Sequence, residues 1–361
     1  MEIRSFEVSG LLNVKARSGN GNGNPLESDA MRPASRGVDS SLTLVTGGAG
    51  YLGSVVIDEL LSRGHRVRVL DSLMHGAVPS LLHAWSDHQF EFVQGDIRSG
   101  EVVGRALDNV TAIVHLAAVV GDPACARQPT MAHEVNLEGT RMLLEKAEAA
   151  GVGRFVFAST CSNYGRRDNG AFATEEGELA PVSLYAETKV AAELDLLAHS
   201  NGPPATCCLR FATIYGASPR MRFDLTVNEF TRDVCLGGDL VVYGEQFWRP
   251  YTHVRDAARA VLLVLQSPLE TIARQVFNVG DTEENYRKRD IVDLLRERVP
   301  SASIDFVHKD EDPRNYRVSF EKIKAELGFR IERQVPDGID EIMALLRSGI
   351  ISDPYASVYR N

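Results

Sequence analysis

From Leu42 onward, short apolar runs alternate with longer stretches of helical periodicity. Leu42–Thr46, Arg66–Leu70, Phe90–Val93, Ala112–His115, Arg154–Ala158 and Thr206–Arg210 read as strands. Helical stretches lie between them, notably Met131–Ala150 and Ser183–His199. Such alternation predicts an α/β fold, a parallel sheet covered by helices on both faces. After Phe211 the regularity breaks. Polar and aromatic loops there separate helices expected at Leu225–Cys235, Val254–Gln266, Lys288–Arg298 and Asp337–Leu346. This later part reads as a smaller lobe closing over the strand ends, where open α/β sheets hold ligands. Residues 1–40 stand apart. Ser18–Pro25 has linker composition, and the segment reads as a flexible extension, although Ile3, Phe6, Val8, Leu11, Leu12 and Val14 could form a short strand or docking arm.

The join between the first strand and the first helix carries the strongest chemical signal. Gly47, Gly50 and Gly53 stand three apart in Thr46-Gly47-Gly48-Ala49-Gly50-Tyr51-Leu52-Gly53. A glycine-rich turn lets backbone N–H groups approach a pyrophosphate, and the helix N-terminus adds partial positive charge. The spacing is G-x-x-G-x-x-G rather than the commoner dinucleotide fingerprint. About eighteen residues beyond Gly53 the second strand ends in Asp71, where the ribose hydroxyls should lie. A plain glycine-rich hairpin would need strand, turn, helix, strand and acid to coincide by chance. The expected fold is therefore a Rossmann-type doubly wound parallel sheet with a smaller C-terminal substrate-binding lobe. Its nucleotide-binding part spans 41–211. Residues 212–361 form mainly the lobe, with room for segments that return to the first part. NAD is the expected cofactor, because Asp71 would accept from the ribose diol and repel a 2′-phosphate.

Composition narrows the partners. The chain has 361 residues, 44% hydrophobic and 24% charged, and a formal net charge of −10. That charge argues against a nucleic acid or an anionic membrane as partner, while a local arginine pocket can still take a small anion. Five cysteines, two of them adjacent at Cys207 and Cys208, do not look like a disulfide framework. No run approaches the ~18 apolar residues of a membrane span, and the N-terminus lacks a signal pattern. A soluble, cytoplasmic protein without a metal site is expected.

Tyr185 and Lys189 lie four apart in a helical segment, which places both on one face. An ammonium beside a phenol favours phenolate and should lower its pKa from ~10. Y-x-x-x-K alone is weak, but a hydroxyl-rich loop, Ser159-Thr160-Cys161-Ser162-Asn163-Tyr164-Gly165, ends a strand upstream. These motifs, with Gly95-Asp96-Ile97, His115-Leu116-Ala117-Ala118 and Asn136, occur in the order found in the extended short-chain dehydrogenase/reductase family. The chain resembles the nucleotide-sugar epimerases, dehydratases and ketoreductases of that family from Leu42 to about Leu346. The resemblance implies that Gly47, Gly50, Tyr51, Leu52, Gly53, Asp71, Asp96, Ile97 and Ala117 line the cofactor site, with Asp96 near the adenine. It implies that Lys189 holds the nicotinamide ribose, that Tyr185 exchanges a proton with the sugar hydroxyl, and that Thr160 hydrogen-bonds the same oxygen. His115 and Asn136 would support the site rather than perform chemistry.

Departures from the family narrow the reaction. Its 4,6-dehydratases carry an Asp-Glu pair after the catalytic Thr, whereas this chain has Cys161-Ser162. Its decarboxylases typically continue Y-x-x-x-K with Arg, whereas Val190 follows Lys189. Its 3,5-epimerases place a cysteine two residues before the Y-G tyrosine, whereas Cys161 lies three before Tyr164. Ser162 is a candidate to face substrate, and so is Cys161, although packing as a small apolar group is the favoured role for its thiol. In the lobe, the resemblance implies that Asn228, Arg249 and Arg314 bind a nucleotide diphosphate, for which arginine's planar fork is suited. Arg220 and Arg222 are weaker candidates. The preferred function is an NAD-dependent nucleotide-sugar epimerase, inverting a carbinol centre such as C4 and working as a homodimer. A nucleotide-sugar ketoreductase is the alternative, and a non-catalytic nucleotide-binding protein is a third.

Overall fold

The first apolar run, Leu42–Thr46, is strand β1, with every residue buried. The computed structural model describes residues 41–361 except 77, 168–169, 200–201 and 313, so the extension expected over 1–40 lies outside the described residues. Beyond β1, the chain runs through α1 (Tyr51–Leu61), β2 (Arg66–Asp71), β3 (Phe90–Gln94), α2 (Gly100–Ala106) and β4 (Val110–His115). Short helices α3 (Asp122–Arg127) and α4 (Pro129–His133) lead into α5 (Gly139–Ala149). The helix expected over Met131–Ala150 is thus interrupted by a π-helical turn at Glu134–Glu138. Strand β5 (Arg154–Thr160), the two-residue β6 (Phe172–Ala173), α6 (Leu184–Ala198) and β7 (Ala205–Phe211) complete the alternating part. Each strand expected before Phe211 lies inside an observed one.

The later part contributes β8 (Thr213–Tyr215), α7 (Thr226–Cys235), β9 (Leu240–Tyr243), β10 (Trp248–His253), α8 (Val254–Gln266) and β11 (Gln275–Val279). Two of these belong to the central sheet layer. Strand β11 pairs in parallel with β7, and α8 lies against α1. The sheet has seven parallel strands in the order β11-β7-β5-β4-β1-β2-β3. The chain winds outward in opposite directions from β1 and β4, and the crevice at their carboxyl ends is where such sheets bind ligands. Thr46 is level with both Leu70 and His115. The glycine turn, Asp71 and Leu116-Ala117 are therefore brought to one rim.

Side chains alternate across β1, as the pleat requires. Val45 packs with Val55 and Val56 of α1 and Val261 of α8. Leu42 and Leu44 pack on the other face with Leu143 and Ala147 of α5 and Leu196 of α6. Each of these buried valines and leucines stabilises the sandwich by roughly 1.5–3 kcal/mol. Helix α6 has a polar anchor as well. Its Glu193, 1% exposed, accepts from Nε of Arg210 on β7 at 3.0 Å and from the Ser159 hydroxyl at 2.7 Å. Arg210 in turn donates to the Tyr164 hydroxyl at 2.9 Å, which donates to Asn278 of β11 at 2.7 Å. Glu193, Arg210 and Tyr164 each have partners in this series, the condition for a buried ion pair to be tolerated.

Candidate active site

A cavity of about 700 Å³ lies over the carboxyl ends of the strands, walled by the sheet rim on one side and the later part of the chain on the other. The glycine turn forms one wall. Gly47 has φ +72°, and a Cβ there would stand 2.7 Å from the Ala117 nitrogen, so only glycine fits. A Cβ on Gly53 would collide with the Gly47 carbonyl, which holds α1 hard against the turn. Gly50, the N-cap of α1, lines the cavity with nothing but the Gly47 carbonyl near its missing side chain. The turn and the helix N-terminus thus present bare backbone to the cavity, the surface a pyrophosphate needs. Asp71 lies alongside at the rim. Its carboxylate accepts from the Ala49 N–H at 3.0 Å and the Leu73 N–H at 2.8 Å. Lone pairs remain for a ribose diol. Burial raises its pKa.

Leu52, Asp96, Ile97 and Ala117 line the same wall. Asp96 is clasped by the Arg98 guanidinium at 2.7 Å, which holds its carboxyl below the ordinary range. Tyr51 also borders the cavity, but its phenol is committed elsewhere. It donates to the Gly216 carbonyl at 2.6 Å and accepts from Asn228 Nδ2 at 3.1 Å, pinning the first turn of α1 to the segment after β8. His115 is buried between the hydroxyls of Thr46, at 2.7 Å, and Thr140, at 2.9 Å. Burial pulls its pKa down to about 3, so it stays neutral. Asn136 bridges both backbone groups of Val119 to the Thr188 hydroxyl of α6.

Helix α6 brings in the tyrosine and lysine. Ser183 caps it by accepting from the Ala186 N–H and donates its hydroxyl to Asp122 at 2.6 Å. Tyr185 follows in the first turn with Thr160 nearby, and both line the cavity. One turn on, the Lys189 ammonium donates to the Ala158 carbonyl at 2.9 Å and sits 4.6 Å over the Phe157 ring. Burial lowers the Lys189 pKa to about 8. The expectation that the ammonium would pull the phenol down is not met in the protein without ligand. Burial raises Tyr185 well above its ordinary value, because removing the phenolate from water outweighs the opposing pull of Arg222.

The loop after Thr160 divides its two candidates. The Cys161 thiol turns inward and donates to the Arg210 carbonyl at 3.2 Å, outside the cavity lining. Burial raises its pKa strongly. Ser162 does line the cavity, with its hydroxyl 3.4 Å from that of Tyr316. Of the candidates after Phe211, Arg249 and Arg314 reach the cavity and Asn228 does not. Asn228 is fully buried, bonded to both backbone groups of Gly216 and to the Arg222 carbonyl. Arg249 is held by Asp312 at 2.7 Å and lies over the Tyr316 ring. Arg314 reaches back to Asp122 at 3.2 Å. Lys288, absent from the sequence expectations, lines the cavity beside them, and burial with the two arginines lowers its pKa. Its only sequence signal is its place at the start of a helix. Tyr316 was within reach of sequence reasoning, two residues past Arg314.

The cavity therefore joins a backbone cradle with an adjacent acid, a Thr-Tyr-Lys set whose Thr160 and Lys189 are buried, and a cationic far wall. Comparisons with known proteins identify the family. Residues 43–280 match the model of the NAD dependent epimerase/dehydratase family. A dTDP-glucose 4,6-dehydratase of an Actinoplanes species is 33% identical over 321 residues, covering 84% of this chain and 97% of that protein. A UDP-glucose 4-epimerase of Bacillus subtilis is 28% identical, covering 83% and 94%. The structure of Thermus thermophilus UDP-glucose 4-epimerase in complex with NAD superposes with a TM-score of 0.74 at 29% identity, covering 86% of this chain and all of that one (100%). The chain belongs to the NAD-dependent epimerase/dehydratase family, within the extended short-chain dehydrogenases/reductases, and NAD is its cofactor.

Proposed function

We propose that the protein is a nucleotide-sugar epimerase that inverts a carbinol centre such as C4 through a transient keto sugar. The observation that carries this reading is the chemistry next to Thr160. The dehydratases of the family place Asp-Glu there for acid and base work on the outer carbons. Here Cys161 is turned into the core and Ser162 offers only a hydroxyl. Identity to the dehydratase is higher than to the epimerase, 33% against 28%, but each figure is a single value for the whole aligned length. The missing carboxylates concern the elimination itself.

The residues divide the work as follows. The bare turn from Gly47 to Gly53, with Asp71, Asp96, Ile97 and Ala117, would hold NAD, and Lys189 its nicotinamide ribose. Bound NAD supplies the hydride acceptor and, in its oxidised form, a cationic ring. Tyr185 would take the sugar hydroxyl's proton and later return it, with Thr160 hydrogen-bonded to the same oxygen. The raised Tyr185 pKa keeps the phenol protonated in the free protein, so proton removal waits for ligands to change its surroundings. Arg249 and Arg314 would grip the nucleotide diphosphate, with Ser162 and Tyr316 beside the sugar.

The test follows the label. With substrate deuterated at the inverted carbon, an epimerase keeps deuterium at that carbon and consumes no net NADH. A ketoreductase consumes NADH one for one with product, and a dehydratase yields a 4-keto-6-deoxy sugar. Either of those results across a nucleotide-sugar panel would overturn the proposal.

A further inference from the structure

The segment Ser218–Asp224 leaves the lobe and docks against the cofactor wall. The Ser218 hydroxyl donates to the Tyr51 carbonyl at 2.7 Å and meets the Ser54 hydroxyl at 3.0 Å, so the segment rests on the first turn of α1. It carries two buried arginines into the cavity lining. Arg222 is spent, with Nε and Nη2 both on the Asp224 carboxylate at 2.9 and 2.8 Å. Arg220 is not. It is 7% exposed, its Nη2 donates to the Arg360 carbonyl at 3.1 Å, and its Nη1 is buried with no partner among the described residues. Among the described residues no carboxylate forms an ion pair with it, and burial beside Arg222 lowers its pKa to about 10.

A buried guanidinium with an empty donor is costly unless a ligand completes it. Arg220 is held there by a strap of residues 359–361. The Phe223 N–H donates to the Tyr359 carbonyl at 2.9 Å, the Asn361 N–H to Asp224 at 3.2 Å, and Arg127 to the Asn361 carbonyl at 2.9 Å. The strap thus ties the arginine segment to α3 on the opposite rim. The N-terminus of α1 and the bare Gly50 also call for an anion. Both face the same cavity.

We propose that Arg220 is a cofactor-binding residue, contributing from the lobe a charged hydrogen bond to the pyrophosphate of the bound dinucleotide, with the 359–361 strap fixing it in place. The α1 N-terminus would grip that pyrophosphate from one side and Arg220 from the other. Cofactor retention is then coupled to the position of the lobe. This rests on NAD occupying the cavity and is independent of which sugar reaction follows.

The test uses the full chain, freed of nucleotide, and calorimetric titration with adenosine, ADP and NAD. Arg220→Gln should weaken ADP and NAD by about ten- to a hundredfold while leaving adenosine unchanged, the range expected for a charge-assisted contact. Arg220→Lys, which keeps the charge, should recover part of the loss and serves if the glutamine variant fails to fold. Unchanged ADP and NAD binding in both variants, or equal losses for adenosine and ADP, would overturn the assignment. If the unaltered protein binds no NAD, the cofactor reading falls first.

Discussion

Lys189 occupies a position whose chemistry and stability pull in opposite directions, and replacing it with methionine exposes the conflict. The ammonium is 2% exposed, and burial lowers its pKa from the ordinary 10.5 to about 8. At neutral pH that fall corresponds to about 3 kcal/mol of cost to the folded, ligand-free protein. Methionine matches the length of the side chain and removes the charge, but it forfeits the hydrogen bond to Ala158, worth about 1 kcal/mol. Lys189→Met should therefore be more stable than the parent by about 2 kcal/mol at pH 7. The sign has a second test. Between pH 8 and 10.5 the unfolded chain holds a proton that the folded one has lost, so the parent gains stability as pH rises and the variant does not. The advantage should shrink and vanish near pH 10. The assay is urea unfolding of nucleotide-free protein from pH 7 to 10, alongside NAD binding and turnover, both of which should fall. A variant less stable at pH 7, or a difference constant with pH, would refute the reasoning.

Other substitutions test the remaining groups. Tyr185→Phe should cut turnover by ~10²–10⁴-fold while NAD binding persists, and near-normal turnover would remove Tyr185 from the proton path. Asp71→Asn, which keeps an acceptor for one of its two N–H partners, should weaken NAD and relax discrimination against NADP in a binding titration. Glu284, raised by burial to about 7, contributes stability that is complete below pH ~4.5 and lost as pH rises through 7. Unfolding free energy should fall by about 2–3 kcal/mol between pH 5 and 8.5 relative to Glu284→Gln, and parallel pH profiles would exclude this role.

The alternating part of the fold was legible because each strand there is a compact apolar run between helical stretches. Strand β11 escaped notice because Gln275–Val279 is a single apolar run among irregular loops. Nothing local says that it returns to pair beside β7. The π-helical turn at Glu134–Glu138 is equally invisible to a pattern that both helix types share. Within the site, backbone-driven features read well. Gly47 is required by sterics, and a strand end fixes Asp71. Side-chain direction did not read from sequence. Cys161 and Ser162 are neighbours, yet one faces the core and the other the cavity. Tyr51 and Asn228, both expected at ligands, bond to each other. Arg249 and Arg314 reach the cavity through ion pairs with Asp312 and Asp122 that no spacing rule relates.

The Glu193–Arg210 anchor beneath α6 bears on how such a scaffold can be altered. The helix carrying Tyr185 and Lys189 is fastened to β5 and β7 through Glu193 and Arg210, which stay out of the cavity lining, and meets that lining only through Ser159. The residues expected to meet the sugar and its diphosphate come mostly from separate loops above it. Reactive machinery and recognition surface are therefore mechanically separable. A new sugar could be accommodated by exchanging loop residues while the reacting groups keep their seats, which makes the lobe the place for directed evolution and the anchor the place to leave untouched.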